Sequence, residues 1–165
     1  MSVRVDSETV TTLIQQRTIP KTIRALDTLP SDYVDVFTAT ASEAAQTSPE
    51  QWARVALEGA SPTGRFLAWR VLLALRLEPQ PSTNFVAGWK IAGRDDRWIK
   101  LEASSWFMTA NIIFHVDEEQ VSFATLIRYD RKVAALVWTP VSAIHRRIAP
   151  DVLRHAVRRI NRSRR

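Results

Sequence analysis

The segment from Phe85 to Tyr129 constrains the fold most, because apolar and polar residues alternate along it with a period of two. In its clearest stretch Ile99 points one way and Lys100 the other. Successive side chains of a β-strand point to opposite faces, so this alternation predicts antiparallel strands with one covered face. Polar turns at 95–96 and 117–120 separate the strands. The sequence therefore predicts a sheet that needs a second layer over its apolar face.

The same alternation assigns inner faces to individual residues. It predicts one strand over 85–91, with Trp89 and Ile91 facing the core. It also predicts a strand that begins at Trp106, with that tryptophan turned inward. About five strands are convincing by this pattern. The segment 133–138 is a candidate for an irregular further strand.

Helix signals precede this region. The tetrapeptide 48–51, Ser-Pro-Glu-Gln, combines an N-cap, a first-turn proline and a capping box, and Gly59 is predicted to end the helix. Ser61-Pro62 repeats the start signal, and the helix that it opens carries Trp69 on its apolar stripe. Before both helices, Tyr33–Ala39 has strand composition, and acids nearby predict an edge strand.

The C-terminal segment predicts a long basic amphipathic helix. Thr139-Pro140 is expected to open a helical turn that carries His145, and the helix then continues to the C-terminus. The segment 145–165 holds eight arginines against the single acid Asp151, so it accounts for the net charge of +6. An apolar stripe follows one side of this helix. The arginines roughly opposite it are Arg147, Arg154, Arg158, Arg162 and Arg165.

The length of 165 residues fits one domain with a real core. We predict an N-terminal arm over 1–30, with a short helix over Ser7–Gln16, and a single domain over 31–165. The sequence has no cysteine, which excludes thiolate chemistry and favours a cytoplasmic location. The start of the chain lacks the apolar core of a signal peptide. The most apolar run, Phe66–Leu77, is too short and too charged to span a bilayer, so a soluble protein is expected.

The order of these elements resembles the helix-grip superfamily, also called START-like or SRPBCC, over Tyr33–Ile160. This superfamily includes polyketide cyclases and lipid-transfer domains. A narrower likeness, to a largely actinobacterial branch without an assigned reaction, rests on Gly88-Trp89-Lys90-Ile91, Arg128-Tyr129-Asp130 and Val137-Trp138 followed by His145-Arg146. The resemblance implies an α+β fold in which a curved antiparallel sheet wraps around the C-terminal helix, with two short helices after the first strand. It also implies a cavity between sheet and helix for an apolar or amphipathic ligand.

Such a cavity would be lined by inward aromatic and aliphatic side chains. The residues predicted to line it are Trp69, Trp89, Ile91, Phe114, Phe123 and Ile127, with Tyr129 or His145 fixing the orientation of the ligand. The same tryptophans also suit plain core packing, because aromatic side chains bury a large area. The first hypothesis is a binding protein that performs no reaction itself.

An enzyme of the cyclase or dehydratase type is the second hypothesis, with His145 as its acid or base. A structural histidine at this position is the competing reading. The sequence has no Gly-x-Ser-x-Gly elbow and no phosphate-cradling loop. His115 and Asp117 are too few ligands for a metal site, so neither metal nor cofactor is predicted. His155 is expected to pair with Asp151, one helical turn away.

The arginine stripe has two explanations. It is either a solvated outer face or a surface for an anionic partner, namely nucleic acid or an anionic membrane. Aromatic residues for base stacking are not interleaved with the arginines. The sequence therefore favours the solvated face. An interaction module that uses this helix is the third hypothesis.

Overall fold

Strands from both halves of the chain meet in one antiparallel sheet. The computed structural model describes residues 12–28, 30–59, 69, 73–79 and 81–164. Within them the strands are β1 (Leu13–Gln15), β2 (Tyr33–Thr40), β3 (Phe85–Val86), β4 (Trp89–Arg94), β5 (Trp98–Ser104), β6 (Met108–Val116) and β7 (Gln120–Tyr129). The helices are α1 (Lys21–Leu26), α2 (Pro49–Glu58) and α3 (Val133–Ser163), with a 3₁₀ turn at Ala44–Gln46. The strand order across the sheet is β1-β2-β7-β6-β5-β4-β3.

The predicted fold class is confirmed. The sheet is curved and open, and the long helix α3 and the shorter α2 pack on its inner face. Inward residues of β4 to β7 share one core with both helices, as at Trp52, Leu101, Phe114 and Leu153. A smaller cluster around Ile23 covers the opposite face. Among the described residues, no helix is both long and apolar enough to cross a bilayer.

The strand predicted over 85–91 is wrong, because the chain turns back on itself there. Ala87 and Gly88 have φ angles of 49° and 85°, and Val86 pairs with Trp89 across them. Two consecutive positive φ values define the tight hairpin turn that matches the twist of its strands. At Gly88 a Cβ would lie 2.9 Å from the carbonyl oxygen of Glu78. Glycine is therefore required by both the turn and the neighbouring backbone.

The N-terminal arm contributes a strand instead of the predicted helix over Ser7–Gln16. Residues 13–15 form β1, in which Leu13 pairs with Ala39, while residues 1–11 lie outside the described part of the chain. The side chain of Gln16 adds a hydrogen bond to the Thr38 hydroxyl at 3.2 Å. β2 therefore lies between β1 and β7, so the prediction that it is an edge strand is also wrong.

Trp106 does not face the core. β5 ends at Ser104 and β6 begins only at Met108, so Trp106 lies in the turn between them and is 58% exposed. The Ser105 hydroxyl accepts the backbone N–H of Met108 at 3.2 Å, which fixes the turn. Phe107 is buried instead. Arg131 lies over the Trp106 ring, 5.7 Å from its centroid.

The C-terminal helix begins earlier than predicted. α3 starts at Val133, so the segment 133–138 is helical and Pro140 lies inside the helix. Ala134, Trp138 and Ser142 are buried at a spacing of four, whereas Leu136 is 77% exposed. This spacing is that of one helix face. A proline normally disrupts a helix interior, which is why Thr139-Pro140 resembled a start.

The helix α2 is confirmed as predicted. The Ser48 hydroxyl accepts the backbone N–H of Gln51 at 3.2 Å, and the Gln51 side chain accepts the N–H of Ser48 at 3.3 Å. Pro49 is its first residue and Gly59 follows its end. The next predicted helix, which Ser61-Pro62 would open, lies outside the described residues apart from Trp69 and Leu73.

Candidate functional site

A cavity of about 170 Å³ lies between the inner face of the sheet and the helices α2 and α3. Its walls are almost entirely apolar. Inward residues of β4, β6 and β7 form one side, and successive turns of α3 form the other. The lining residues are Leu57, Trp69, Leu73, Trp89, Ala110, Ile112, Phe123, Thr125, Ile127, Trp138, Val141, Ile144, His145, Ile148, Ala149 and Val152.

The mouth of the cavity is on the α3 side. Ile144 and Ile148 both line the cavity, yet they are 57% and 48% exposed. Opposite them, Ile112 and Phe123 are only 4% and 3% exposed. The cavity is therefore closed by the sheet and open along the side of α3 that carries Ile144 and Ile148. The two side chains at this opening are aliphatic, so the mouth is apolar.

A polar cluster lies in the cavity wall. Nε2 of His145 is 3.0 Å from Oγ1 of Thr125 in a hydrogen bond, and 3.3 Å from Oδ2 of Asp35. The Tyr33 hydroxyl donates to the same Asp35 oxygen at 2.6 Å. β2 and β7 are neighbours in the sheet, and α3 crosses their inner face, so three separate segments bring these groups together.

Burial dominates the electrostatics of this cluster. The Asp35 side chain is only 2% exposed, and its Oδ1 has no hydrogen-bond partner among the described residues. A buried carboxylate is costly unless donors or a cation compensate it. Burial raises the pKa of the Tyr33 hydroxyl far above its usual value of 10.0, and the hydrogen bond and negative charge of Asp35 raise it further. Tyr33 therefore stays a neutral donor that holds Asp35 in place.

The cluster does not have the geometry of a hydrolase triad. In such a triad the hydroxyl and the carboxylate bind opposite nitrogens of the histidine. Here the Thr125 hydroxyl and the Asp35 carboxylate both approach Nε2 of His145. Asp35 therefore does not hold the opposite nitrogen, as the carboxylate of a triad does to prepare the histidine as a base. The arrangement suits proton exchange or hydrogen bonding with a bound molecule and not nucleophilic attack by a threonine.

Two buried indoles also belong to the lining of this cavity. Trp89 and Trp138 are each 3% exposed and line the cavity, and the Nε1 of each has no hydrogen-bond partner among the described residues. Trp138 packs against Tyr33 with ring centroids 5.3 Å apart and against His145 at 5.6 Å. Trp89 packs edge-on against Trp69 at 5.5 Å. Thus the rings are fixed by packing while their N–H groups stay unpaired.

The structure brings together five of the eight residues predicted to contact a ligand. Trp69, Trp89, Phe123, Ile127 and His145 line the cavity. The other three lie outside its lining. Phe114 is buried one layer away and stacks on Phe123 at 5.0 Å, while Ile91 and Tyr129 pack at the margin of the core. Ligand contact by any of the eight remains a prediction.

Several groups at the cavity were missed by sequence reasoning. They are Tyr33, Asp35, Thr125 and Trp138. The sequence contained one indication of Asp35, because Asp35 points to the same face of its strand as the buried Phe37 and Ala39. An acid at an inward position needs a partner, and that partner is 110 residues further along the chain. Trp138 was missed because the sequence did not show that its segment is helical.

The remaining histidines do not form a site. His115 lies on the outer face of β6, and its Nδ1 is 3.8 Å from Asp117. Asp151 pairs with Arg154 at 3.0 Å and not with His155 as predicted. Nε2 of His155 is buried without a hydrogen-bond partner among the described residues. Within that part of the chain, no group of three His, Asp or Glu side chains could hold a metal ion.

The predicted arginine surface lies on the outer side of α3. Arg147, Arg158 and Arg162 are exposed, as is Arg159, and none of the four has an ion-pair partner among the described residues. Arg154 of the predicted stripe pairs with Asp151, and Arg165 lies outside the described part of the chain. Near the end of α3, Arg164 is structural, since it donates to the carbonyl oxygens of residues 42 and 43 at 2.9 and 2.8 Å.

No family model, curated protein or solved structure matches this chain. The resemblance to the helix-grip superfamily therefore rests on the order of elements and on the short sequence likenesses given above.

Proposed function

We propose that this protein binds a compact hydrophobic or amphipathic molecule in the cavity between the sheet and α3. The observation that carries the proposal is the cavity itself, which has about 170 Å³ of space and mainly apolar walls. Core packing normally leaves few voids larger than a water molecule. A space of this size, with an apolar mouth and a few fixed polar groups, has the character of a ligand pocket.

The volume limits the ligand. An engineered apolar cavity of about 150 Å³ in another protein stays dry and binds benzene. By that measure this cavity accommodates a single substituted ring or a short branched chain. Larger ligands would leave one end outside, between Ile144 and Ile148. Burial of apolar surface would supply most of the affinity, at about 25 cal/mol per Å² before ordering costs.

Membership of the helix-grip superfamily and a cytoplasmic location are part of the same proposal. The fold supports the first, since a cavity between a curved sheet and a C-terminal helix is what that resemblance implies. The absence of cysteine from the sequence supports the second.

Native mass spectrometry of gently purified protein tests the binding proposal. The wild-type chain is compared with Ala149→Leu, which extends a larger side chain into the cavity, and with Ala143→Leu, the same change at an exposed position of α3. We expect extra non-covalent mass on the wild type and Ala143→Leu, and much less on Ala149→Leu. The same adduct on all three proteins would contradict binding in this cavity.

A second candidate is an enzyme of the cyclase or dehydratase type that uses the same cavity. The specific observation in its favour is Asp35, which lies 3.3 Å from Nε2 of His145 and so orients an acid–base group at the cavity wall. The test is turnover of the ligand recovered by mass spectrometry, measured for wild type and His145→Ala. Loss of turnover with retained binding supports an acid or base role. Unchanged turnover removes His145 from the mechanism.

A further inference from the structure

The cavity volume limits the size of the ligand, whereas the unpaired indole N–H groups indicate its polar chemistry. Trp52 shows how a buried tryptophan normally behaves here: it is fully buried and its Nε1 donates to the carbonyl oxygen of Ala44 at 3.1 Å. Trp89 and Trp138 are nearly as buried, but their Nε1 atoms have no acceptor among the described residues. A buried donor without an acceptor is costly, and native structures seldom retain one without a reason. Both of these unpaired tryptophans belong to the cavity lining, which also includes Trp69.

The two unpaired polar groups of the cavity wall are both hydrogen-bond donors. An indole nitrogen donates a hydrogen bond and cannot accept one. The other two polar residues of the lining, Thr125 and His145, are bonded to each other. Asp35, the nearest anion, lies behind them and is not part of the lining. A ligand that complements the two unpaired indole groups supplies an acceptor atom and needs no positive charge.

We propose that the ligand is a compact, ring-sized molecule with a carbonyl oxygen, and that Nε1 of Trp138 or Trp89 donates a hydrogen bond to that oxygen. This inference rests on the proposed function and names the chemical class of its ligand. The two donors mark different ends of the cavity. Trp138 lies beside His145, while Trp89 lies on β4, which β5 and β6 separate from β7 in the sheet. The donor that is used therefore sets the orientation of the ring.

A pair of isosteric probes isolates this hydrogen bond. Acetophenone carries a carbonyl oxygen, and α-methylstyrene has a methylene group in the same place. Their dissociation constants are measured by NMR titration for the wild type, Trp138→Phe and Trp89→Phe. The ratio of the two affinities cancels most effects of altered packing, because both probes have nearly the same shape. Trp106→Phe makes the same chemical change at an exposed tryptophan outside the cavity lining and is the control.

We expect the preference for acetophenone to fall about five- to tenfold in at least one of the two cavity variants, as the loss of one hydrogen bond predicts. It should be unchanged in Trp106→Phe. The indole N–H resonance of the tryptophan concerned should move downfield with acetophenone and not with α-methylstyrene. A ratio that stays the same in both cavity variants would overturn the inference and leave the binding proposal standing. No binding of either probe to the wild type would instead count against both.

Discussion

The two faces of α3 differ in every property that decides what can bind to them. The inner face places Trp138, His145 and Ala149 against the apolar cavity, and its polar groups are fixed by packing and hydrogen bonds. The outer face carries exposed arginines without ion-pair partners among the described residues, together with the exposed Leu136. The inner face has shape and can select a small molecule. The outer face carries mainly charge, which attracts anions without selecting one by shape.

The largest effect is expected for a matched pair of leucines on the two faces. Leu153 is fully buried and Leu136 is 77% exposed. Leu153→Ala should lower the free energy of unfolding by about 2–5 kcal/mol through lost burial and a new cavity. Leu136→Ala should change it by less than about 0.5 kcal/mol. Urea denaturation measures both effects. Effects of similar size would mean that α3 does not turn Leu153 to the core and Leu136 to solvent.

The next effect is expected at the polar cluster behind the cavity. Tyr33→Phe removes the 2.6 Å hydrogen bond to the buried Asp35. We expect a loss of about 1–3 kcal/mol, because a buried carboxylate then has one donor fewer. Tyr129→Phe is the control, since the Tyr129 hydroxyl makes no hydrogen bond within the described residues. Equal stability of the two variants in denaturant would refute the role given to Tyr33.

The same tyrosine predicts a dependence on alkaline pH. Its pKa is raised in the folded protein, so the folded state holds the proton more tightly than the unfolded chain. The stabilisation is fully present below the usual pKa of 10.0 and is lost as the pH rises above it. Tyr33→Phe should therefore show a shallower loss of stability above pH 10. A residual slope is expected from Tyr129, whose pKa is raised by burial and by Asp32. Identical slopes for the variant and the wild type would contradict the assignment.

The smallest effect is expected on the outer face. Replacing Arg147, Arg158, Arg159 and Arg162 by glutamine should leave the uptake of acetophenone unchanged, and each change should alter stability by less than about 0.5 kcal/mol. If the outer face is solvated, the wild type should also fail to bind phosphatidylserine vesicles or nucleic acid at physiological salt. Tight binding with a steep salt dependence, lost in the fourfold variant, would show instead that the arginines serve an anionic partner.

The sequence predicted the inner faces of β5 to β7 correctly, because alternation is a local property that the pleat enforces. Ile99, Leu101 and Phe123 all face the core as expected. It failed where the chain changes direction within two or three residues. Alanine seldom adopts a positive φ, so Gly88 alone marked the hairpin turn within an apolar run. The alternation also placed Trp106 on the inner face, but Trp106 precedes β6, which begins at Met108.

The candidate site was less predictable than the fold. His145 was identified from its residue type and its place before the apolar stripe. Its partners Asp35 and Thr125 come from the strands β2 and β7, and only the pairing of these two strands brings them together. Trp138 became visible as a cavity residue only once 133–138 proved helical. Sites of this kind depend on contacts between distant segments, which periodicity does not encode.

A crystal soaked with bromobenzene tests the central claim most directly, because bromine gives an anomalous signal that locates a ring-sized ligand. We predict a single strong peak in the space bounded by Ile112, Phe123, Trp138 and Val152. The peak should be absent from crystals of Ala149→Leu. A wild-type cavity without bromine, or a peak found only elsewhere on the molecule, would contradict the account.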